Sequence, residues 1–401
     1  MTRFDLAVVG AGILGLAPAY YAARANRRVA LLDRSPSPAG ATVRNFGMVI
    51  PGALAPGAWR ERAGVSVAFY EELAAAGVVT ITGRGTIYLA RTALEAAVLT
   101  EFAALAPSHG YTCDRLDRAT ALRLVPALKS SGLESALVFP EDIQIDQRSL
   151  PSRLIPWLIE RLGMTWLPAH EAVTIHGGKP ATIAVKNGTE LLADRVVVCP
   201  GAEPRTLSLP GIRLNGKSIC GGGAPLSRAP GEGLGVRAGV RRCVLQMLRT
   251  QPMPDVALPH AIASGWSLRR YEAFRLAPSW ADLDAAPMPD DLQAWGIHVL
   301  VKQEVDGSIT IGDSHGLVDL DEPDPAPDPA IDAAILREAR SLVRLPDWSV
   351  AERWTGAYLA HPILEGIVEE VEDNVTVVAV LGGKGMTCGP GLAREVVGGW
   401  G

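Results

Sequence analysis

The chain has 401 residues, a length that predicts two domains or one large α/β unit, and its 48% hydrophobic and 20% charged residues exclude intrinsic disorder. Its net charge of −5 provides no basic field to attract nucleic acid or an anionic membrane surface. The cysteines are widely spaced without a metal-ligand pattern, which predicts reduced thiols, a cytoplasmic location and no metal site; they are Cys113, Cys199, Cys220, Cys243 and Cys388.

Residues 4–9, 12–25 and 28–32 form a predicted β–α–β unit at the N-terminus. Both strands are almost continuously apolar, which indicates burial on both faces and therefore a parallel sheet. The unit contains an uncharged run of 18 residues, 6–23, the length of a membrane span. Three glycines and Pro18 interrupt that run and no basic segment precedes it, so a buried strand and a tightly packed helix are the better interpretation. Pro18 is expected to kink the helix.

Periodicity predicts the remaining elements. Apolar residues at helical spacing predict helices at 59–76, 93–105, 150–162 and 392–397. Short apolar or alternating runs predict strands at 78–90 (two strands turning at Gly83), 165–167, 169–176, 181–186, 195–199, 244–249, 296–305, 308–312 and 375–381. Asp306 and Gly307 join two of these strands in a predicted hairpin. Segments 276–291 and 321–330 are rich in Pro and Asp, which predicts surface connections.

The sharpest motif is Gly10-Ala11-Gly12-Ile13-Leu14-Gly15, between the first strand and the first helix. Gly10 permits the tight turn, Gly12 lets the backbone approach a pyrophosphate, and Gly15 allows close packing of helix on strand. The N–H groups at the helix N-terminus then face the phosphates. This context predicts a dinucleotide site.

Asp33 ends the second strand, 18 residues after Gly15. Its carboxylate is placed to accept hydrogen bonds from an adenosine ribose and would repel a 2′-phosphate, which favours FAD or NAD over NADP. FAD is favoured over NAD because the chain returns to the same domain twice. Segment 195–201 resembles a buried strand with a Gly turn, and GGKGMTCGPG at 382–391 offers a second helix N-terminus near the flavin ring.

The chain resembles the D-amino-acid oxidase, glycine oxidase and sarcosine oxidase superfamily of flavoproteins. The resemblance rests on GAGILG, Asp33, the loop ATVRNFGMVIPG, the strand VVVCPGA and the C-terminal Gly-rich loop. RNFG, QMLRT, SGWSLRRYEAF, HVLVKQ and ITIGDSHG resemble a narrower clade, the FAD-dependent oxidoreductases associated with bacterial aminophosphonate catabolism. Some relatives attach flavin to a cysteine in the segment corresponding to RWTGAYLAHP. That segment has no cysteine here, so noncovalent FAD is expected, and Cys388 is expected to be a packed residue.

The resemblance implies an enzyme that oxidises a C–N bond in a small anionic amine, such as N-methyl-2-aminoethylphosphonate. A hydride passes to flavin N5, the imine hydrolyses to aldehyde and amine, and dioxygen is reduced to hydrogen peroxide. A glycine or sarcosine oxidase and a hydroxy-acid dehydrogenase remain alternatives, as does a non-enzymatic flavoprotein. The implied fold is α/β, α+β overall, a Rossmann-like FAD-binding domain (1–80, 145–210 and 345–401) with an inserted antiparallel substrate domain (81–144 and 211–344).

The sequence predicts two sets of site residues, one for the cofactor and one for the substrate. Motif and resemblance together place the cofactor against Gly10, Gly12, Ile13, Leu14, Gly15, Asp33, Arg34, Thr42, Arg44, Asn45, Gly47, Met48, Val173, Gly201, Gly383, Lys384, Gly385, Met386 and Thr387. An anionic substrate needs a fixed cation, best an arginine.

Arg249, on a predicted strand, is the first choice for that cation, with a structural ion pair as the alternative, and Arg44 is the second. Tyr271 and Trp354 are candidate pocket walls, although each also suits a packing role. Lys384 is a candidate catalytic residue near the flavin, or an exposed loop cation. Candidate pocket histidines are His260, His315 and His361.

Overall fold

The computed structural model describes residues 3–202, 239–320 and 322–400. Cys220 and the expected domain boundary at 210/211 lie outside these residues. The α-helices of the described chain are α1 (Ile13–Arg24), α2 (Ala41–Arg44), α3 (Ala58–Ala75), α4 (Ala93–Leu105), α5 (Arg118–Leu124), α6 (Leu150–Leu162), α7 (Ser267–Arg270), α8 (Trp280–Ala285), α9 (Asp290–Ala294), α10 (Pro329–Leu342) and α11 (Gly385–Gly398).

The same residues form twenty strands. They are β1 (Arg3–Phe4), β2 (Leu6–Val9), β3 (Val29–Leu32), β4 (Met48–Val49), β5 (Ile81–Ala90), β6 (Asp114–Asp117), β7 (Ser135–Ile145), β8 (Thr165–Leu167), β9 (Ala172–His176), β10 (Ala181–Val185), β11 (Glu190–Ala193), β12 (Val196–Val198), β13 (Arg241–Thr250), β14 (Ala261–Ala263), β15 (Leu300–Gln303), β16 (Ile309–Gly312), β17 (Gly316–Val318), β18 (Val350–Ala360), β19 (Gly366–Glu372) and β20 (Val375–Val380).

The nucleotide-binding half is built on a sheet with the strand order β19-β20-β12-β2-β3-β8. From β20 to β8 all neighbours run parallel, and β19 pairs antiparallel at the edge. The strands β2 and β3 are buried along their whole length, as the apolar runs predict. Helices α1, α3 and α11 pack together on one face of this sheet. A small sheet, β1-β11-β10-β9, covers part of the other face.

Prolines inside two of these helices leave carbonyl groups that other side chains bond. Pro18 lies within α1 and has no N–H for the carbonyl of Leu14, four residues earlier, and the Cys199 thiol donates to that carbonyl at 3.1 Å. Pro390 likewise leaves the carbonyl of Met386 in α11, which accepts from the hydroxyl of Tyr70 at 3.1 Å. Each proline therefore creates an acceptor that ties its helix to the rest of the nucleotide-binding half.

The second half is a large mixed sheet with the strand order β17-β13-β16-β15-β14-β5-β7-β4, to which β18 and β6 also pair. All these pairs are antiparallel except β14 with β5. Helices α4, α5 and α10 pack against it. The predicted division into two domains at the stated boundaries stays a prediction.

Several predicted elements differ from the observed ones. Segment 78–90 contains one strand, β5, which begins at Ile81 and is interrupted by two register shifts, and not two strands turning at Gly83. The C-terminal helix begins at Gly385, inside the segment interpreted as a loop. A glycine in this segment lets the helix pack closely on α3, because a Cβ at Gly391 would lie 2.2 Å from the carbonyl oxygen of Arg62 in α3. Segment 276–291 contains α8 and the start of α9 rather than a plain connection. In the described chain, no helix has the length and apolarity needed to cross a membrane.

Candidate cofactor and substrate site

The turn between β2 and α1 can be made only by glycines. Gly10 has a φ of +101°, and a Cβ there would lie 2.4 Å from the carbonyl oxygen of Cys199 on the neighbouring strand. A Cβ on Gly15 would lie 1.8 Å from the carbonyl oxygen of Gly10. The backbone of α1 therefore starts directly above the ends of β2 and β12, which leaves an open crevice at the carboxyl edge of the parallel strands.

Asp33 and Thr42 hold the rim of this crevice. The Asp33 carboxylate accepts from the N–H groups of Ala11 and Ser35, both at 2.8 Å. The Thr42 hydroxyl oxygen accepts from the N–H of Ile13 at 2.8 Å, at the first residue of α1. Asp33 is thus fixed at the end of β3, beside the glycine turn, as a ribose-binding acid requires.

A cavity of about 800 Å³ occupies the crevice. It meets the predicted cofactor residues Gly10, Gly12, Ile13, Leu14, Asp33, Arg34, Thr42, Arg44, Asn45, Gly201, Gly383, Gly385 and Met386. These residues come from the two ends and the middle of the chain. The volume lies in the range of ligand and cofactor pockets, and the glycine cradle leaves room for a pyrophosphate. The residues present therefore fit a bound FAD.

Other predicted cofactor residues lie elsewhere. Met48, Lys384 and Thr387 line a second, adjoining cavity. Gly15 and Gly47 line neither cavity and act through the backbone. Val173 does not line the large cavity: its side chain is exposed, and the preceding Ala172, on the opposite face of β9, lines the cavity. A contact of Val173 with the cofactor stays a prediction.

The adjoining cavity measures about 350 Å³ and lies between the nucleotide-binding half and the large sheet. It shares walls with the large cavity, namely Ala41, Arg44, Asn45, Ala357, Tyr358, Gly383 and Met386. Leu245, Met247 and Leu300 provide apolar surface. This pocket is therefore the candidate substrate site.

Arg270 supplies the adjoining cavity with a cation. Its Nη2 donates to the hydroxyl of Tyr358 at 3.0 Å, and it forms no ion pair with a carboxylate of the described residues. Tyr271 also lines this cavity, and burial raises the pKa of its phenol. Arg270 is therefore a guanidinium with unused donors on the wall of this cavity.

Arg249 does not face either cavity, which corrects its choice as substrate cation. Its guanidinium donates to both carboxylate oxygens of Asp306 at 2.9 Å and to the Ser308 hydroxyl at 2.5 Å, within the β15–β16 hairpin. Trp354 also lines neither cavity; its indole donates to the carbonyl of Arg44 at 3.0 Å and packs under Arg148. Both residues have the structural roles weighed as alternatives.

Arg44 and Lys384 both line the site, but their charged groups have different partners. The Arg44 guanidinium, where the cavities meet, donates to the carbonyls of Ala39 and Thr355. The ammonium of Lys384 pairs with Glu272 and Glu365. Burial alone would lower the pKa of Lys384, but hydrogen bonds and charge from both glutamates raise it. Lys384 therefore stays protonated at neutral pH and cannot act as a base there.

The three candidate histidines separate in the structure. His315 and His361 line the adjoining cavity, and His260 lines neither cavity, bonding the carbonyl of Arg84 at 2.6 Å. His315 lies beside His298 and Asp313, whose carboxylate is within 4 Å of both imidazoles. Burial lowers the pKa of His315 to about 3 and that of His298 well below its usual value, whereas it raises the pKa of Asp313 to about 7.

Sequence reasoning missed Arg270, His298 and Asp313. All three lie in the quoted stretches SGWSLRRYEAF, HVLVKQ and ITIGDSHG, so the signal was present. The predicted hairpin already places 298 opposite the residues after 312. What the pattern could not indicate is which of Arg269 and Arg270 faces the cavity, or that His298 and Asp313 line it.

The fold and the glycine, acid and cavity geometry define a dinucleotide-binding protein. The chain belongs to the FAD dependent oxidoreductase family, whose model matches residues 5–398. FAD as cofactor and the α/β FAD-binding fold are thereby confirmed. A curated relative, glycine oxidase of Geobacillus kaustophilus, is 27% identical over 209 residues. That match spans 50% of this chain and 55% of the relative.

Solved structures share the fold along almost the whole chain. The crystal structure of glycine oxidase from Geobacillus kaustophilus superimposes with a TM-score of 0.72 at 18% identity, covering 99% of this chain and 95% of that one. L-proline dehydrogenase from P. horikoshii gives 0.75 at 16% identity, covering 98% and 92%. L-alpha-glycerophosphate oxidase from Mycoplasma pneumoniae, with FAD bound, gives 0.72 at 14% identity, covering 100% and 96%.

Proposed function

We propose that this protein is an FAD-dependent oxidoreductase that oxidises the C–N bond of a small anionic amine and passes the electrons to dioxygen. The observation that carries the proposal is Arg270, a guanidinium without a carboxylate partner among the described residues, in a cavity that adjoins the cofactor cavity. A fixed guanidinium recognises carboxylate or phosphonate through paired N–H donors. The named activity of the curated relative, glycine oxidase, supports an amine as substrate.

The chain's own residues bind and orient the amine. Arg270 holds the anion, with Tyr358 keeping its guanidinium in place at 3.0 Å. Leu245, Met247 and Leu300 exclude water around the carbon to be oxidised. FAD, when bound, supplies the hydride acceptor. Holding the amine in one orientation beside it is the main contribution of the protein to the rate.

Two anions remain candidates for the substrate class. The resemblance of the motifs around Arg44, Arg270 and His315 to the aminophosphonate clade supports N-methyl-2-aminoethylphosphonate or a close relative. The curated relative supports glycine or sarcosine instead. An arginine binds both anions, so the choice depends on which amine reaches the flavin with its anion on Arg270.

Anaerobic titration of the purified protein with 2-aminoethylphosphonate, its N-methyl derivative, glycine and sarcosine tests the proposal. We expect at least one of them to bleach the flavin absorbance, and kcat/KM values for the two anion types to identify the substrate class. In air, the same amine should yield hydrogen peroxide together with ammonia or methylamine. Failure of every amine to reduce the flavin would refute amine oxidation, and reduction by a hydroxy acid without amine release would identify an alcohol substrate.

A further inference from the structure

Asp313, His298 and His315 line the adjoining cavity, and their polar atoms face one another without forming hydrogen bonds. The Nε2 of His298 lies 3.7 Å from one Asp313 oxygen, and the Nε2 of His315 lies 3.9 Å from the other. These separations exceed hydrogen-bond distance. Asp313 and His298 are 6% and 5% exposed, and Oδ1 of Asp313 has no hydrogen-bond partner among the described residues.

In each ring the nitrogen that lies away from Asp313, Nδ1, is within hydrogen-bond distance of another group of the protein. Nδ1 of His315 lies 2.9 Å from the carbonyl oxygen of Gly296, which can only accept, so Nδ1 carries the proton and Nε2 of the neutral ring is a bare acceptor. Nδ1 of His298 lies 3.1 Å from the Ser267 hydroxyl. The two rings stack at 5.0 Å, which fixes both Nε2 atoms towards Asp313.

The backbone is arranged to present these groups. The strands β16 and β17 both pair with β13 but are separated by residues 313–315, an interruption of one continuous edge. The hydroxyl of Ser314 accepts the N–H of Gln246, in place of a ladder bond. Interruptions of this kind re-aim side chains, here Asp313 and His315, into the cavity.

We propose that Asp313, with His298 and His315, binds the substrate's ammonium group and that the Asp313 carboxylate accepts its proton. This rests on the proposed function. The N–H bond of the ammonium breaks, its electron pair stays on nitrogen, and an O–H bond forms on Asp313. The protonated carboxyl then donates to the bare Nε2 of His315. Deprotonation matters because only the neutral amine can release hydride from the adjacent carbon.

An ammonium fits this cluster better than a divalent metal. An ammonium carries several N–H donors, which match several inward-facing acceptors. Arg270 already places a positive charge beside the cluster, since its guanidinium lowers the pKa of Asp313, after the larger, opposite effect of burial. A second, divalent charge is repelled more strongly than a monovalent one. A zwitterionic substrate satisfies both Arg270 and Asp313.

Other titratable groups act on Asp313 from the elements around it. They are Arg270 and Tyr271 from α7 and the following turn, Cys243 from β13, Tyr358 from β18, and His298 and His315, with Glu272 and Lys384 on the cavity wall. Arg270 is the permanent charge among the groups that act on Asp313, so the ionisation of Asp313 follows its own titration near neutral pH.

Binding of a non-oxidisable zwitterion tests the proposal without turnover. The probe is 2-amino-2-methylpropanoate, or 2-amino-2-methylpropylphosphonate if only phosphonates reduce the flavin; neither has hydrogen on the carbon beside nitrogen. Calorimetry in two buffers of different ionisation enthalpy counts protons released by the holoenzyme. Because the pKa of Asp313 is raised to about 7, binding should release about one proton at pH 6 and roughly none at pH 8.

Three variants and one further probe complete the test. Asp313→Asn should abolish the pH-dependent release and weaken probe binding about tenfold to thirtyfold. His315→Asn should weaken binding less while keeping the release. The matched control Asp306→Asn, on the hairpin with Arg249, should behave as wild type. Pivalate, which has a methyl group where the probe has its ammonium, should release no proton.

The outcomes separate this proposal from the function on which it rests. If no amine reduces wild-type flavin, the proposed function fails. If an amine reduces the flavin but the zwitterion does not bind, or binds with the same proton release in wild type and Asp313→Asn, this inference alone fails. A stoichiometric metal in the purified wild type that is lost in Asp313→Asn would also overturn it, in favour of a metal site.

Discussion

Arg249 and Arg270 show how surroundings decide the role of a residue type. Arg249 is neutralised by Asp306, whereas Arg270 bonds only the Tyr358 hydroxyl among the described residues and faces the cavity. A hydrogen bond to a charged group contributes about 1.5–3 kcal/mol. Arg270→Gln should therefore raise KM for the anionic amine roughly 10- to 100-fold, with the flavin content unchanged.

Arg249→Gln is the matched control for Arg270→Gln. Steady-state kinetics of both variants, with flavin content read from absorbance, make the comparison. We expect Arg249→Gln to keep the wild-type KM. An unchanged KM in Arg270→Gln would remove this residue from the site, and a raised KM in Arg249→Gln would mean that the hairpin affects the cavity.

Gly10 is a position where one methyl group should abolish cofactor binding. Its φ of +101° disfavours any side chain, and a Cβ would lie 2.4 Å from the carbonyl oxygen of Cys199. Gly10→Ala should therefore purify with little or no flavin. Gly64→Ala is the control, since Gly64 lies within α3 and a Cβ there meets nothing within 4 Å. A fully yellow Gly10→Ala protein would contradict the role given to this turn.

At the scale of the element, α11 is stabilised by a hydrogen bond from outside the helix, which replaces the one that Pro390 cannot make. Pro390 leaves the carbonyl of Met386 without its helical donor, and the hydroxyl of Tyr70 replaces it at 3.1 Å. Burial raises the pKa of Tyr70 well above its usual value, so the phenol stays a donor. Tyr70→Phe leaves a buried carbonyl without a hydrogen-bond donor and should lower the free energy of unfolding by about 1–3 kcal/mol.

Chemical denaturation of the holoenzyme measures this loss. Tyr21→Phe, in the adjacent and less buried position beside Phe69, should change the free energy of unfolding by less. Equal effects of the two substitutions would show that ring packing, and not the bond to Met386, sets the contribution of Tyr70.

The elements that the sequence predicts well are those whose pattern is local. Gly10, Gly15 and Asp33 determine a strand–turn–helix unit within one short segment, and α4 and α6 begin and end at the predicted residues. The start of α11 is missed because three glycines and a proline argue against a helix until its neighbours are known. Two of those glycines allow close packing: a Cβ on Gly389 would lie 2.7 Å from Leu14 of α1, and one on Gly391 would lie 2.2 Å from the carbonyl oxygen of Arg62 in α3.

The candidate substrate residues follow only partly from the sequence pattern. His298 and Asp313 flank the β15–β16 hairpin that Asp306 and Gly307 predict, whereas Arg270, on α7, meets them only through tertiary packing. An alternating pattern does predict that Met247 and Arg249 share one face of β13. It does not show where along the strand the cavity ends, and the hairpin acid Asp306 takes Arg249 beyond that end.

At the scale of the whole molecule, buried carboxyl groups make stability depend on pH. Asp142 accepts from the N–H of Gly52 at 3.0 Å, and burial raises its pKa to about 7. Between about pH 4 and 7 the folded chain keeps this proton while the unfolded chain loses it. The free energy of unfolding should therefore fall as pH rises through this window, by up to about 1.4 kcal/mol per unit for one group.

Asp142→Asn removes this dependence. The variant should gain stability over wild type progressively from pH 4 to pH 7 and keep the gain above it, as followed by denaturation at several pH values. Asp306→Asn should instead lose stability relative to wild type at and above about pH 4, and the difference should shrink as pH falls below 4, because hydrogen bonds from Ser308 and Arg249 outweigh burial and lower the pKa of Asp306. A pH profile of Asp142→Asn parallel to that of wild type would exclude Asp142 as the source.

Bound FAD should stabilise the fold, because it contacts distant parts of the chain. The large cavity is lined by the N-terminal glycine turn, by residues 199–202 and by the C-terminal Gly383 and Gly385, so folding of each part is linked to the others through the cofactor. At a free concentration one hundred times its Kd, FAD adds about 2.7 kcal/mol to the free energy of unfolding, or about 3 °C in Tm for a chain of this size. Thermal scans of apoprotein with and without FAD measure the shift, and Gly10→Ala should show none.

Because RWTGAYLAHP contains no cysteine, acid precipitation should leave the flavin in the supernatant, and a yellow pellet would contradict noncovalent binding.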